Sequence, residues 1–293
     1  MQPSHPLPKR LLPALLALLA VAVAAPVAAQ AGGEGEMAHA WLPPDAEGAV
    51  AALNASPRHG EWAMVRLENG DSVRSWVVYP ERSGPAPVVV VIHEIFGLTS
   101  WVRAVADRLA AEGFIAIAPD LLTMEAVPAD DAGDPERQAA VAAIRGLDPD
   151  RVHTQIRAVA EYAMGLESAE AVYGITGFCW GGSTTFEHAT RYDDIMGAVV
   201  YYGSSPSEEG LARVRVPVLG HYGGDDERVN ATIPRAEAAL GGDYFPNVYD
   251  GAGHGFLRQQ SGREGANHHA SVQAWPMTVG FFRAAGYHAR DDG

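Results

Sequence analysis

Ala171-Val172-Tyr173-Gly174-Ile175-Thr176-Gly177-Phe178-Cys179-Trp180-Gly181-Gly182-Ser183 has the pattern of a strand, a sharp turn and a helix start. Its first half is apolar and β-prone and ends at Gly177, and the small residues after Trp180 read as a helix start. Between them stands the only cysteine of the 293-residue chain, framed as Gly177-x-Cys179-x-Gly181. Strand, sharp turn and helix in that order make a nucleophile elbow, with sulfur where serine usually stands. Such a turn strains its central residue and brings the helix close to the strand. Glycines two positions to either side remove the bulk that would clash. A structural cysteine beside packing glycines is the competing reading.

The flanks of this stretch carry a repeating pattern. Upstream, Pro87-Val88-Val89-Val90-Val91-Ile92 is continuously apolar, as suits a strand buried on both faces. A helix is expected from Trp101 to Glu112, and Phe114-Ile115-Ala116-Ile117-Ala118 is the next buried strand. A polar loop from Leu121 to Pro135 leads to helices over 136–146 and 150–165. Downstream come strands Met196 to Tyr201 and Val216 to His221, a helix over 232–240, a strand from Tyr244 to Tyr249 and a last helix over 267–285. Strands alternating with helices imply an α/β fold with a mostly parallel central sheet flanked by helices. Earlier still, Trp62 to Leu67 and Ser72 to Tyr79 alternate around Glu68-Asn69-Gly70-Asp71, a hairpin expected at the antiparallel edge of that sheet.

Composition bounds the function. At 47% hydrophobic residues the chain can bury one large core, and its net charge of −15, spread without runs, argues against nucleic acid as a partner. Lys9 and Arg10 precede a Leu/Ala-rich run from Leu11 to Val23, and small residues follow around Ala28-Ala29-Gln30-Ala31. Residues 1–31 therefore read as a secretory signal peptide, and the protein as periplasmic or secreted. The apolar run is short for a membrane span, so no stable membrane anchor is expected. Residues 32–60 read as an irregular N-terminal segment and 61–288 as the folded domain. In an exported protein a lone thiol that can form no internal disulfide stands out as reactive.

Three stretches fall at the carboxyl ends of strands, where parallel sheets gather their chemistry. They are Cys179, Gly223-Gly224-Asp225-Asp226-Glu227-Arg228-Val229, and Asp250-Gly251-Ala252-Gly253-His254-Gly255-Phe256. Nucleophile, acid, histidine is the order that α/β-hydrolases use. A thiol is only slightly ionised near neutrality and needs a base in reach. Histidine can take that proton and return it to a leaving group. A carboxylate fixes the tautomer of the imidazole and stabilises its charged form. Most of the eleven histidines, His268 and His269 among them, read as ordinary surface or packing residues. Spacing alone does not choose between Asp225 and Asp226. Following the first buried strand, His93-Glu94-Ile95-Phe96-Gly97-Leu98 lies where one oxyanion-hole amide is placed, so the N–H groups of Ile95 and Trp180 are the expected pair. An acid at Glu94 would repel the intermediate unless it moves or is paired.

Together, His93-Glu94-Ile95-Phe96-Gly97-Leu98, Gly177-Phe178-Cys179-Trp180-Gly181-Gly182 and Gly251-Ala252-Gly253-His254-Gly255-Phe256 resemble the dienelactone hydrolase family over residues 61 to 285. The resemblance implies an α/β-hydrolase fold that opens enol-lactones such as dienelactone, giving maleylacetate, with no cofactor and no metal. It implies Cys179 as nucleophile, His254 as base and Asp226 as acid, since the family's acid precedes x-x-Val. It further implies that Glu94 meets the resting thiol and shifts when substrate binds. Arg258, and less clearly Arg137, match arginines that hold the substrate carboxylate. The expected partner is a small lactone or ester, and a monomer suffices for it. The exported character and the altered 121–135 loop depart from the family and bear on the substrate. A broad-specificity exported carboxylesterase and a non-catalytic exported binding protein are the alternatives.

Overall fold

Val88 to Ile92 form the middle of the molecule because every one of these side chains is buried. The computed structural model describes residues 40–291, so the signal peptide expected over 1–31 lies outside the described residues. The strand β3 (Ala86–Ile92) sends Val88, Val90 and Ile92 into one core and Val89 and Val91 into the other. This is the two-sided burial expected of a parallel strand. At roughly 1.5–3 kcal/mol per buried aliphatic side chain, such a strand anchors both layers.

Eight strands make one sheet in the order β1-β2-β4-β3-β5-β6-β7-β8. The hairpin β1 (Gly60–Arg66) and β2 (Ser72–Val78) is antiparallel at the edge. Strands β3, β4 (Ile115–Pro119), β5 (Ala169–Phe178), β6 (Ala198–Tyr201), β7 (Val218–Gly223) and β8 (Tyr244–Tyr249) run parallel to one another. The hairpin turn takes its bend from Gly70 at φ +93°, with Gly70 N–H donating to Leu67 O at 3.0 Å.

Helices cover both faces. Before the sheet comes α1 (Ala49–Ala55), and α2 (Ser100–Ala111) follows β3. After β4 come α3 (Arg137–Gly146) and α4 (Pro149–Met164). The helix α5 (Trp180–His188) follows β5 directly. Two single turns, α6 (Glu208–Leu211) and α7 (Glu227–Asn230), precede α8 (Ile233–Leu240), and α9 (Ala266–Asp291) ends the domain. The starts of α3 and α4 are sharp because Glu136 caps the N–H groups of Gln138 and Ala139, and Asp148 caps that of Arg151. Pro149 then occupies the first turn, where its missing N–H costs nothing. Side chains of α2 and α9 share a core with Val89 and Val91, while those of α4 and α5 share the core of Val88, Val90 and Ile92.

The structure departs from expectation at 41–60. Instead of an irregular lead-in, this segment carries α1 and packs with the rest of the chain from Trp41 on. Leu42 and Ala49 are buried, Trp101 Nε1 donates to Pro44 O at 3.0 Å, and Gln260 Nε2 donates to Pro43 O at 2.9 Å. Downstream, Ser56 and Arg58 both donate to Asp107, at 2.5 and 3.0 Å on its Oδ1. These anchors are single polar contacts to residues distant in sequence, so no local periodicity announces them.

Beneath the elbow helix lies a buried polar chain. Arg157 donates to Tyr173 Oη at 3.4 Å, which contacts His188 Nε2 at 3.2 Å, and His188 Nδ1 lies 3.3 Å from His153 Nδ1. Burial, with Arg191 adding to it and Asp150 opposing it, depresses His153 to about 4. Burial and the neighbouring His153 likewise hold His188 well below its ordinary range. In the unfolded chain these rings take up protons near 6.5. Stability is therefore expected to fall as pH drops from about 6.5 towards 4, by about 2–3 kcal/mol for His153 alone. Denaturant unfolding of wild type and His153→Gln at pH 7 and pH 4.5 checks this, since the variant should lose much less between the two.

Candidate active site

The elbow is built as its residues require. Cys179 sits at φ 58° and ψ −116°, between the last residue of β5 and the first of α5. For a residue with a Cβ this is a strained conformation, held here by surrounding structure. A Cβ on Gly177 would come within 2.2 Å of Gly181 O, and one on Gly181 within 2.3 Å of His93 O. Strand, helix and the 93–98 loop thus touch backbone to backbone, a packing only glycine allows. The Cys179 N–H donates to Tyr201 O at 3.0 Å, tying the turn to β6. Cys179 is partly exposed.

The structure brings the predicted acid and histidine together. His254 Nδ1 lies 2.5 Å from Asp226 Oδ2. A carboxylate can only accept, so Nδ1 carries the proton and Nε2 is left to face other chemistry. Burial lowers the His254 pKa, but the Asp226 hydrogen bond and the Cys179 thiol outweigh it and raise it to about 9. For Asp226 burial pushes upward, and the bond and charge of His254 prevail, holding it below the usual carboxylate value. The adjacent Asp225 instead forms an ion pair with Arg263. Geometry thereby separates two acids that spacing could not. The loops carrying them are fastened by Asn267, which is buried and accepts from Gly253 N–H at 2.9 Å, and by Asn230, which donates to Gly223 O at 2.8 Å.

Glu94 is 2% exposed, and its Oε2 lies 2.8 Å from Arg258 Nε. The pair is close but not aligned as a hydrogen bond, so neither atom has a directed partner. Burial drives the Glu94 pKa up, while Arg258, His254 and Arg137 work against it. The backbone of Arg258 is held in turn, with Ala46 N–H donating to its carbonyl at 2.9 Å. Arg137 opens α3 and is exposed, yet its guanidinium lies 3.6 Å over the Phe96 ring, with Arg258 5.3 Å from the same ring. The two arginines of the sequence reading therefore converge on one aromatic side chain of the 94–98 loop. Loop 121–135 supports this wall: Asp134 accepts from both N–H and Oγ of Ser100, and Arg103 donates to Ala132 O at 2.7 Å.

Tyr202 escaped the sequence reading. It follows β6 at φ 40°, is fully buried, and its hydroxyl finds no hydrogen-bond partner among the described residues. Its ring lies 5.1 Å from that of His254. Burial, then the charge of Glu94, raises its pKa well above the ordinary tyrosine value, with Arg258 opposing and Cys179 adding to the rise. The available signal was its position at the carboxyl end of a parallel strand.

A mostly parallel eight-stranded sheet with the order given above, an elbow after β5 and an Asp–His pair after β7 and β8 define an α/β-hydrolase. The model of the dienelactone hydrolase family matches residues 73–286. The chain belongs to that family. It is 31% identical over 233 residues to an Escherichia coli K12 protein named "putative carboxymethylenebutenolidase", covering 74% of this chain and 84% of that one. A Saccharolobus solfataricus protein of the same name is 29% identical over 249 residues, covering 73% and 95%. The crystal structure of a "putative dienelactone hydrolase" from Klebsiella pneumoniae has a TM-score of 0.67 at 26% identity, covering 77% of this chain and 98% of the other.

Proposed function

We propose that the protein hydrolyses a small enol-lactone or ester bearing a carboxylate, through Cys179 and an acyl-thioester. The observation that carries this reading is the strained Cys179 elbow with the 2.5 Å Asp226–His254 bond at neighbouring strand ends. In the first step the Cys179 thiolate attacks the carbonyl carbon, and the developing oxyanion takes hydrogen bonds from the Ile95 and Trp180 N–H groups. Collapse breaks the carbonyl–oxygen bond, and the leaving alkoxide or enolate takes a proton from His254, which its pKa of about 9 keeps charged before the attack. His254 then accepts a proton from water as that water attacks the thioester, expelling the thiolate and freeing the acid. Asp226 stabilises the imidazolium in both halves.

The buried Glu94–Arg258 pair supports an anionic substrate. A substrate carboxylate that engages Arg258 would take the guanidinium from Glu94 and leave a buried carboxylate free to seek a proton. By the family resemblance, that proton comes from the resting thiol. Arg258→Ala is accordingly expected to lower kcat/KM for dienelactone about 10²-fold or more while p-nitrophenyl acetate turnover changes only a few-fold. Equal losses on both substrates would contradict a carboxylate role and favour a general carboxylesterase. Absence of turnover on either, with Cys179 unreactive to iodoacetamide, would favour a binding protein.

Export forms part of the same reading and rests on the leader-like residues 1–31. Mass spectrometry of the protein recovered outside the cytoplasm is expected to find a mature N-terminus close to Ala31. An intact Met1 in the cytoplasm would contradict it.

A further inference from the structure

His93 is wholly buried, carries no role in the steps above, and contacts the Glu94 carbonyl and the Trp180 ring, each next to one of the two expected oxyanion-hole amides. Its ring Nε2 lies 3.3 Å from the Leu121 N–H, which can only donate, so Nε2 must present its lone pair. The ring proton therefore sits on Nδ1, which lies 2.7 Å from Glu94 O and donates to it. Burial holds the pKa of the ring below its ordinary value, with the backbone contact to Glu94 and the charge of Asp120 opposing, so the neutral tautomer persists.

The Glu94 carbonyl and the Ile95 N–H belong to one peptide plane and point in opposite directions. That carbonyl also accepts from Gly97 N–H at 3.1 Å, in a turn closed by Gly97 at φ +79°. Two donors thus hold the oxygen on one side. The Ile95 N–H makes no backbone hydrogen bond among the described residues. Rotation of this peptide would replace a donor in the site by a carbonyl oxygen. The His93 ring also stacks on Trp180, with centroids 5.5 Å apart at 23°. Trp180 begins α5, where its N–H has no partner within the helix.

Resting on the hydrolase reading, we infer that His93 is a positioning residue for the oxyanion hole, fixing the Glu94–Ile95 peptide through its Nδ1–H and the Trp180 ring by stacking. The sequence gives it a neutral, one-tautomer bracket between the end of β3, the start of the 121–135 loop and the elbow.

Two variants separate this from a packing role. H93F keeps a ring against Trp180 and fills the site but has no donor. H93N leaves a void but can present an amide N–H near the Nδ1 position. With p-nitrophenyl acetate, H93F is expected to lose about 10–100-fold in kcat with KM within about threefold of wild type. Iodoacetamide should alkylate its Cys179 at the wild-type rate, because alkylation develops no oxyanion. H93N should melt at a lower temperature than H93F yet recover about tenfold of the lost kcat. Should H93F fail to fold, H93L takes its place with the same expected loss. A kcat for H93F within twofold of wild type, or losses in both variants that follow their melting temperatures, would overturn the inference and leave the hydrolase reading standing. A wild-type protein whose ester turnover survives Cys179→Ala would overturn both.

Discussion

Cys179→Ala is expected to reduce turnover of enol-lactones and aryl esters by about 10⁴-fold or more while the melting temperature stays near that of wild type. Cys179 is partly exposed and sits at the tip of a turn whose geometry is set by Gly177, Gly181 and the backbone bond to Tyr201. Removing one sulfur leaves those constraints in place. Alanine at φ 58° meets the same local strain as cysteine, so no new backbone cost arises. A Cys179→Ala protein that folds and retains more than a few per cent of wild-type activity would point to another nucleophile.

The second large effect is expected at Asp226. Asp226→Asn should cost about 10³–10⁴-fold in kcat, because an amide can donate to Nδ1 and stabilise the tautomer whose Nε2 carries the proton. The same change has a spectroscopic consequence. Against burial, the Asp226 hydrogen bond and the Cys179 thiol raise the His254 pKa from 6.5 to about 9, so its charged form is expected to contribute stability that is full below about pH 6.5 and lost as pH rises through about 9. Without the Asp226 carboxylate the imidazole resonances should titrate at distinctly lower pH. Asp225→Asn is the control. Its partner is Arg263 at the surface of the domain, and kcat should change less than threefold. Comparable losses in the two variants would remove the assignment of the acid.

Much of this arrangement is legible in the sequence, for reasons that differ element by element. The all-apolar run at 87–92 could only be a strand buried on both sides, and the structure feeds its side chains alternately to two cores. The elbow was legible because backbone proximity leaves a glycine signature, here contacts that would fall to 2.2–2.3 Å if Gly177 or Gly181 carried a Cβ. Pairing between distant side chains leaves no such trace. Spacing could not say that Asp226 rather than Asp225 meets His254, and the family pattern was needed to choose. The sequence likewise shows nothing of Arg137 reaching the Phe96 ring, because the 121–135 loop that delivers it has no periodicity. Residues 41–60 look irregular in sequence because their order comes from Pro43, Pro44 and Ala46 meeting Gln260, Trp101 and Arg258. Tyr202 was overlooked because it extends an apolar strand and reads as core. Only its hydroxyl, without a hydrogen-bond partner among the described residues, and its ring 5.1 Å from that of His254 distinguish it.

These contacts also bear on how the thiol is kept safe. Export would place a free cysteine in an oxidising compartment, where thiolate character invites oxidation. A Glu94 that is paired with Arg258 until an anionic substrate arrives would limit that exposure, and Arg258→Ala protein should then lose its thiol to peroxide at a different rate from wild type.

A covalent acyl-thioester on Cys179 is the intermediate on which the proposed hydrolysis depends. Rapid mixing with p-nitrophenyl acetate, acid quench and intact-protein mass spectrometry followed by peptide mapping can detect it. The predicted result is one acetyl group per chain, located on the peptide containing Cys179, released by hydroxylamine and absent from Cys179→Ala. Turnover without any acyl adduct on that peptide, or an adduct on a serine or carboxylate elsewhere, would contradict it.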